Sequence, residues 1–521
     1  MRFLHAVSAL ALVTAAPVFA QDKGKSVDEL HKQAMAEAAK DAWTVAPVEE
    51  RTVSGHHSVN ADGRTLKYTT TAGTLTIRDN AGKPTASIFY TADTLDGAPG
   101  SRRPVMFFYN GGPGSASLWL RMGSFGPVRI HSDNASYIKP APFNFGPNPD
   151  TLLGTTDLVF IDAPGTGYSR MLGDAKGSDF YGVDQDADAF ARAIIRYVTK
   201  FNRWDSPKFL FGESYGTTRS GALAYELQDR GMALNGVVLL SSIMNYGRRQ
   251  PGLDRDYINY LPSYAATAWY HHKLPNAPAT VEDAAAQARA FAQGPYASAL
   301  EKGQTITPEE RTRVAQQMSQ LTGLSPQFIE RANLRVDLSR FRKELLRDER
   351  ETIGRFDSRY TGIDPDAAGD SPEFDASDVA ISGGYVGAMH DYLSKDVGYQ
   401  TDMQYRLSAS EEEGFKWDWS HKAPGTRFTL NAPNTAIDLA AAMRTNPYLK
   451  VLSLNGYYDM ATPFFGTEYD LNHMMLEPAQ QQNLEFRYYP SGHMVYLNPD
   501  ALHQMRLDVQ RFVNEAVAAA R

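Results

Sequence analysis

Six short apolar runs organise this chain: Val105-Met-Phe-Phe-Tyr109, Leu158-Val-Phe-Ile161, Lys208-Phe-Leu-Phe211, Gly236-Val-Val-Leu-Leu240, Lys450-Val-Leu-Ser-Leu454 and Leu484-Glu-Phe-Arg-Tyr-Tyr489. Continuous rather than alternating hydrophobicity belongs to strands covered on both faces, which is the signature of a parallel sheet. Between Ile161 and Lys208, the residues Val183, Ala187, Phe190, Ile194 and Tyr197 recur at spacings of three and four, giving a helix one apolar face. Strand, helix, strand is the crossover unit of an α/β fold. Ahead of Pro104 the pattern changes. From Thr52 to Ala92, short β-rich pieces such as Leu66-Lys-Tyr-Thr-Thr-Thr71 and Ala86-Ser-Ile-Phe-Tyr90, separated by Gly and Asn/Asp turns, predict antiparallel edge strands.

Sheet-type runs stop after Leu240 and resume only at Lys450, and the residues between are helical and loop-rich. An insertion into one sheet is the economical reading, with the inserted part lying as a cap over the strands' carboxyl ends. The expected division is residues 46–246 as the first part of a core, 247–446 as the cap and 447–521 as the second part of the core. A length of 521 residues suits such a two-part body. No repeat of fixed period interrupts it.

The first 20 residues carry a basic start, an apolar stretch from Ala6 to Ala16 and Val18-Phe19-Ala20 before Gln21, the pattern of a secretory signal. Residues 21–45 are polar and Ala/Lys-rich, and read as a tether or a loose helix. No later run is long enough to span a bilayer, so no membrane insertion is expected after signal removal. The chain has no cysteine, which excludes disulfides and thiolate metal sites, and export without disulfides suits a bacterial periplasm or medium. A net charge of -8 leaves no basic footprint for nucleic acid.

The chemistry begins at Gly212-Glu213-Ser214-Tyr215-Gly216, which follows the run ending at Phe211 and leads into a helical pattern through Leu223 and Leu227. This is a G-x-S-x-G elbow in its required strand-to-helix context, with the serine oxygen at the helix's amino end. The partners of such a serine follow it in the order acid, histidine. Asp459, just after the run ending at Leu454, and His493, just after the run ending at Tyr489, fit that order. Ser214 is then the nucleophile, His493 the general base and Asp459 the group that orients the imidazole. The fold expected is the α/β-hydrolase fold, a mostly parallel central sheet with helices on both faces and a large helical cap. Asn110-Gly111-Gly112-Pro113-Gly114 follows another strand, and the amides of Gly112 and Tyr215 form the natural oxyanion pair. Asp162 precedes the serine and reads as a turn residue; Asp470 and His473 read as a surface pair on a helix. The His56-His57 and His271-His272 pairs lack further ligands at metal spacing, so no metal and no cofactor are expected.

Four blocks together, Asn110-Gly-Gly-Pro-Gly-Ser-Ala-Ser117, Gly212-Glu-Ser-Tyr-Gly216, Asp459 after Asn455-Gly456, and Gly492-His493-Met494, resemble the serine carboxypeptidase family. The resemblance implies removal of a residue from a peptide's free carboxyl end through an acyl-enzyme. It implies that Asn110, Gly111 and Glu213 bind the terminal carboxylate, with Met494 beside them. An acid that binds an anion must be protonated, so activity is expected to fall as pH rises. The chain departs from the pattern at Ser124, where relatives with a two-glutamate clamp carry the second acid, and Arg121 is a candidate replacement. Two other readings remain: an esterase, amidase or acyltransferase on the same triad, and a non-catalytic exported binding protein on a hydrolase scaffold.

Overall fold

The computed structural model describes residues 45–519 apart from Pro99; the signal segment at 1–20 and all but the last residue of the 21–45 segment lie outside the described residues. All six apolar runs form strands of one sheet. Its strands are β1 (Thr52–Ala61), β2 (Arg64–Arg78), β3 (Pro84–Leu95), β4 (Val105–Tyr109), β5 (Asp157–Ile161), β6 (Lys208–Glu213), β7 (Gly236–Leu240), β8 (Lys450–Gly456) and β9 (Leu484–Tyr489), with a two-residue strand at Arg170–Met171 paired to β3. The spatial order is β1-β2-β3-β5-β4-β6-β7-β8-β9. From β5 to β9 every pairing is parallel, and from β1 to β5 every pairing is antiparallel. β7 and β8 are direct neighbours although more than two hundred residues separate them in sequence. This is the mixed, mostly parallel sheet of an α/β-hydrolase.

The amino-terminal strands differ from the expectation of short edge pieces. They run 10, 15 and 12 residues, and β3 lies inside the sheet against β5. Gly73 lies within β2 and not in a turn, and a Cβ there would overlap the carbonyl of Arg51. Glycine inside a strand marks close backbone approach as readily as a turn.

Alternate residues of each central strand feed two cores. Phe108, Phe160, Phe211, Val238 and Leu452 pack with α7 (Ala376–Asp391) and α10 (Pro499–Ala519) on one face. Phe107, Val159, Leu210, Val237 and Val451 pack with α2 (Val183–Lys200), α3 (Tyr215–Asp229) and α8 (Ala436–Thr445) on the other. The stretch 247–446 is thus shared out. Its helices α4 (Arg255–Tyr270), α5 (Val281–Phe291) and α6 (Pro308–Thr322) build a third apolar cluster with Tyr457, Tyr458 and Phe464, while α7 and α8 complete the two main cores.

A loop from this stretch is fastened by His421. Its ring nitrogens lie 2.5 Å from Asp184 and 2.9 Å from Asp438, in the first turns of α2 and α8. Burial pulls the imidazole pKa down, but the two carboxylates outweigh it and raise it to about 9. A raised histidine stabilises fully below its unfolded value, and that stabilisation is lost as pH rises through about 9. His421→Gln is expected to lower stability by roughly 2 kcal/mol at pH 6, with the melting temperatures of variant and parent converging above pH 9. Parallel melting curves across that range would show that His421 is not charged in the fold.

Candidate active site

Strand β6 ends at Glu213, and Ser214 adopts φ 61° and ψ -128° before α3 begins at Tyr215. A left-handed backbone at a residue with a side chain costs about 1–3 kcal/mol and is retained only where surroundings dictate it. Here the surroundings are tight. The Ser214 amide donates to Leu240 O at 3.0 Å in β7, and a side chain at Gly212 would overlap the carbonyl of Gly216 and the hydroxyl of Ser220. Gly111, from the loop after β4, lies so close that a Cβ there would strike the amides of Tyr215 and Gly216. The half-buried Ser214 therefore stands at the positive end of a helix, beside a glycine loop.

Loops after two further strands bring the partners. Asp459 follows β8 and is held by the amides of Ala461 and Thr462 on Oδ1, at 2.8 and 2.9 Å. Its Oδ2 lies 2.8 Å from His493 Nδ1, which leaves Nε2 as the nitrogen available to the serine. Both residues are buried, at 1% and 2% exposure. Burial lowers the His493 pKa, yet the charge and hydrogen bond of Asp459 prevail and raise it.

Ser214 and His493 share a cavity of about 500 Å³ with Asn110, Gly111, Gly112, Glu213, Tyr215 and Met494. The residues given catalytic, oxyanion or carboxylate-binding roles from the sequence thus line one cavity, apart from Asp459, buried behind the imidazole, and the candidate Arg121. Gly112 has φ 105°, and the Tyr215 amide, first in its helix, has no intrahelical partner. Asn110 is fixed from both sides: Leu120 N donates to its side-chain oxygen at 3.0 Å, and the buried Arg219, paired with Asp186, donates to its carbonyl at 2.8 Å. Glu213 is buried and accepts from the Tyr496 hydroxyl at 2.9 Å. Burial is the main influence on its carboxyl and raises it to about 7, against the opposing pull of His493, Tyr496 and Asn110.

Two expectations are corrected. Arg121 does not reach the cavity: it is fully buried under the sheet, 3.4 Å from Asp93 and 4.5 Å from the centre of the Tyr392 ring. A guanidinium sealed there is spent on a core carboxylate. Asp470 is no surface residue either; it is buried and receives Arg248 Nε at 3.1 Å and the amides of Met244 and Asn245. Its helical spacing to His473 hid a long-range role. Ser124 is buried and turned inward, donating to Leu120 O at 2.6 Å.

Sequence reasoning missed the groups that hold the three loops. Thr462 Oγ1 lies 2.7 Å from Asp459 Oδ2 and 3.1 Å from His493 Nδ1; its position three residues after the acid was the available signal. Segment 354–360 had none. Its Phe356 carbonyl accepts from the His493 amide at 2.6 Å, and Phe356 packs its ring 5.3 Å from the imidazole. Asp357 and Arg359 form a buried ion pair, and Arg359 donates to Pro490 O at 3.1 Å and Ser491 Oγ at 3.2 Å on the histidine loop.

The model of the serine carboxypeptidase family matches residues 62–495. Among individual proteins, the chain is 26% identical over 129 residues to serine carboxypeptidase-like 36 of Arabidopsis thaliana, covering 24% of each chain. It is 30% identical over 161 residues to pheromone-processing carboxypeptidase KEX1 of Lachancea thermotolerans (30% of this chain, 20% of that one). It is 25% identical over 208 residues to P-(S)-hydroxymandelonitrile lyase of Sorghum bicolor (39% and 36%). These matches span between a fifth and about a third of the relatives' lengths. Among solved structures, proline iminopeptidase of Mycobacterium smegmatis aligns over 86% of this chain and 100% of its own at 14% identity, with a TM-score of 0.35. That likeness is too distant to bear on the chemistry.

Proposed function

The chain belongs to the serine carboxypeptidase family, and from that premise we propose that it hydrolyses the last peptide bond of a substrate with a free carboxyl end. The observation that carries this reading is the buried Glu213, next in sequence to the candidate nucleophile and in the same cavity. Ser214 Oγ attacks the carbonyl carbon while His493 Nε2 takes its proton, and the oxyanion that forms faces the amides of Gly112 and Tyr215. His493 then gives the proton to the departing amine, and water, activated by the same imidazole, releases the acyl group. Asp459 fixes the tautomer and offsets the imidazolium charge. Protonated Glu213 and Asn110 receive the terminal carboxylate of the leaving residue.

The two titrating groups act in opposite directions. His493 is a base only when neutral, so activity rises with pH on the acid side. Glu213 donates only while protonated, so turnover of free acids is expected to fall as pH passes about 7. Glu213→Gln is expected to abolish the alkaline fall of kcat/KM for a blocked dipeptide acid while leaving the acid-side limb in place. An unchanged alkaline limb in that variant would assign the fall to another group. The corresponding amide substrate should lack the alkaline limb in the parent enzyme.

A second reading, cleavage or transfer at esters and amides that lack the carboxylate, is favoured by one observation: Ser124 supplies no second acid to the cavity. Equal turnover of acid and amide by the parent enzyme would select it. The bacterial, exported location is likewise our proposal, drawn from the signal pattern and the absence of cysteine. Among the described residues no helix is long and apolar enough to cross a membrane.

A further inference from the structure

The cavity has two walls. On one, Trp419 meets Tyr215 edge-on and Tyr246 at a tilt, with ring centres 6.1 and 4.7 Å apart, and Arg249 is tied down to Ala461 O at 3.1 Å with Asp256 at 3.6 Å. The other wall starts at Glu213 and its partner Tyr496. Tyr496 and Tyr385 meet around Gly123, where any side chain would overlap the Tyr496 ring and the Tyr385 hydroxyl. Tyr385 packs on Trp119 with ring centres 5.3 Å apart, and the same helix, α7, sends Asp378, Ile381 and Ser382 to the cavity. Arg355 closes this wall. Its amide donates to Asp375, the N-cap of α7, at 2.9 Å. Its guanidinium lies 4.5 Å from the centre of the Phe356 ring, which itself packs against His493.

Resting on the carboxypeptidase reading, we infer that Arg355 binds the leaving residue's carboxylate in place of the second acid that Ser124 lacks. The guanidinium lines the cavity, is 43% exposed, and among the described residues has only a loose ion pair, Nε to Asp375 at 3.8 Å. Asp375 is itself shared with Arg342, 3.9 Å away. The other charged groups facing Arg355 are Asp378, which accepts from Ser382 at 3.2 Å, and His493 across the Phe356 ring. Both η nitrogens are therefore free to form the paired hydrogen bonds that suit a carboxylate. A cation and one protonated acid would then hold the anion from the same wall, and Arg249 stays with the acyl side.

The test compares a blocked dipeptide acid with its amide at pH 6 for the parent enzyme, Arg355→Gln and Arg355→Lys. Loss of a charge-assisted hydrogen bond should lower kcat/KM for the acid about 30-fold in Arg355→Gln, through KM, with the lysine variant intermediate. Turnover of the amide should stay within about threefold of the parent, which also shows that the variant is folded. An acid-to-amide ratio unchanged in Arg355→Gln, or equal losses on both substrates, overturns the assignment while leaving the carboxypeptidase reading intact. A parent enzyme that prefers neither substrate removes both.

Discussion

Ser214→Ala is expected to reduce turnover of a blocked dipeptide at least about a thousandfold and to abolish covalent labelling by an organophosphonate. The magnitude follows from the arrangement. The serine occupies a strained left-handed position that the β6–α3 turn enforces; among the described residues Ser241 also has a positive φ at a strand end, but no helix follows it. Because the three residues act as a unit, His493→Ala should cost about as much, and the double variant should be scarcely worse than either alone. Asp459→Asn should be less severe, since Thr462 and two backbone amides still position the side chain. The melting temperature of Ser214→Ala should stay near that of the parent, because alanine keeps the Cβ and with it the same backbone strain, and the half-buried residue loses only its hydroxyl. A loss below roughly tenfold would mean that the nucleophile lies elsewhere.

The second large effect belongs to stability. Arg359→Met leaves Asp357 buried without its cation, and uncompensated buried charge costs about 3–5 kcal/mol. Asp357 and Arg359 are 0% and 1% exposed in their side chains, so solvent gives little relief. The double variant Asp357→Leu, Arg359→Met should recover much of that loss, because replacing both partners removes the unpaired charge. Its turnover should nonetheless stay depressed. Arg359 donates to the loop at 490–491, and the Phe356 carbonyl immediately before Asp357 receives the His493 amide. Chemical denaturation and kcat measured side by side would separate the two consequences. A midpoint shift worth less than about 1 kcal/mol for Arg359→Met would show that the pair is dispensable.

The sheet was readable because its central strands are covered on both faces, so each appears as an unbroken apolar run whatever its neighbours are. β4 and β7 have the bounds of their runs, 105–109 and 236–240. The placing of the serine, acid and histidine was readable for a related reason: each follows directly on such a run, and parallel strands end on one rim. The amino-terminal strands were misjudged because half-exposed antiparallel strands tolerate threonine and glycine, which weakens the alternation that would reveal them. The fate of Arg121 was unreadable altogether. Nothing near it in sequence announces Asp93, 28 positions earlier, yet the two meet inside the protein.

Local composition and spacing, then, determined the strand set, the elbow and the order of the three candidate groups, because these depend on interactions within a few residues of each position. Tertiary structure alone decided which charges face the cavity. It buried Arg121 and turned Ser124 inward, placed Arg355 and Asp378 on the Glu213 wall, and fastened the histidine loop with Asp357 and Arg359 from an inserted segment. The physical reason is that a charged side chain settles where its desolvation is best repaid, and the partner that repays it comes from any part of the chain.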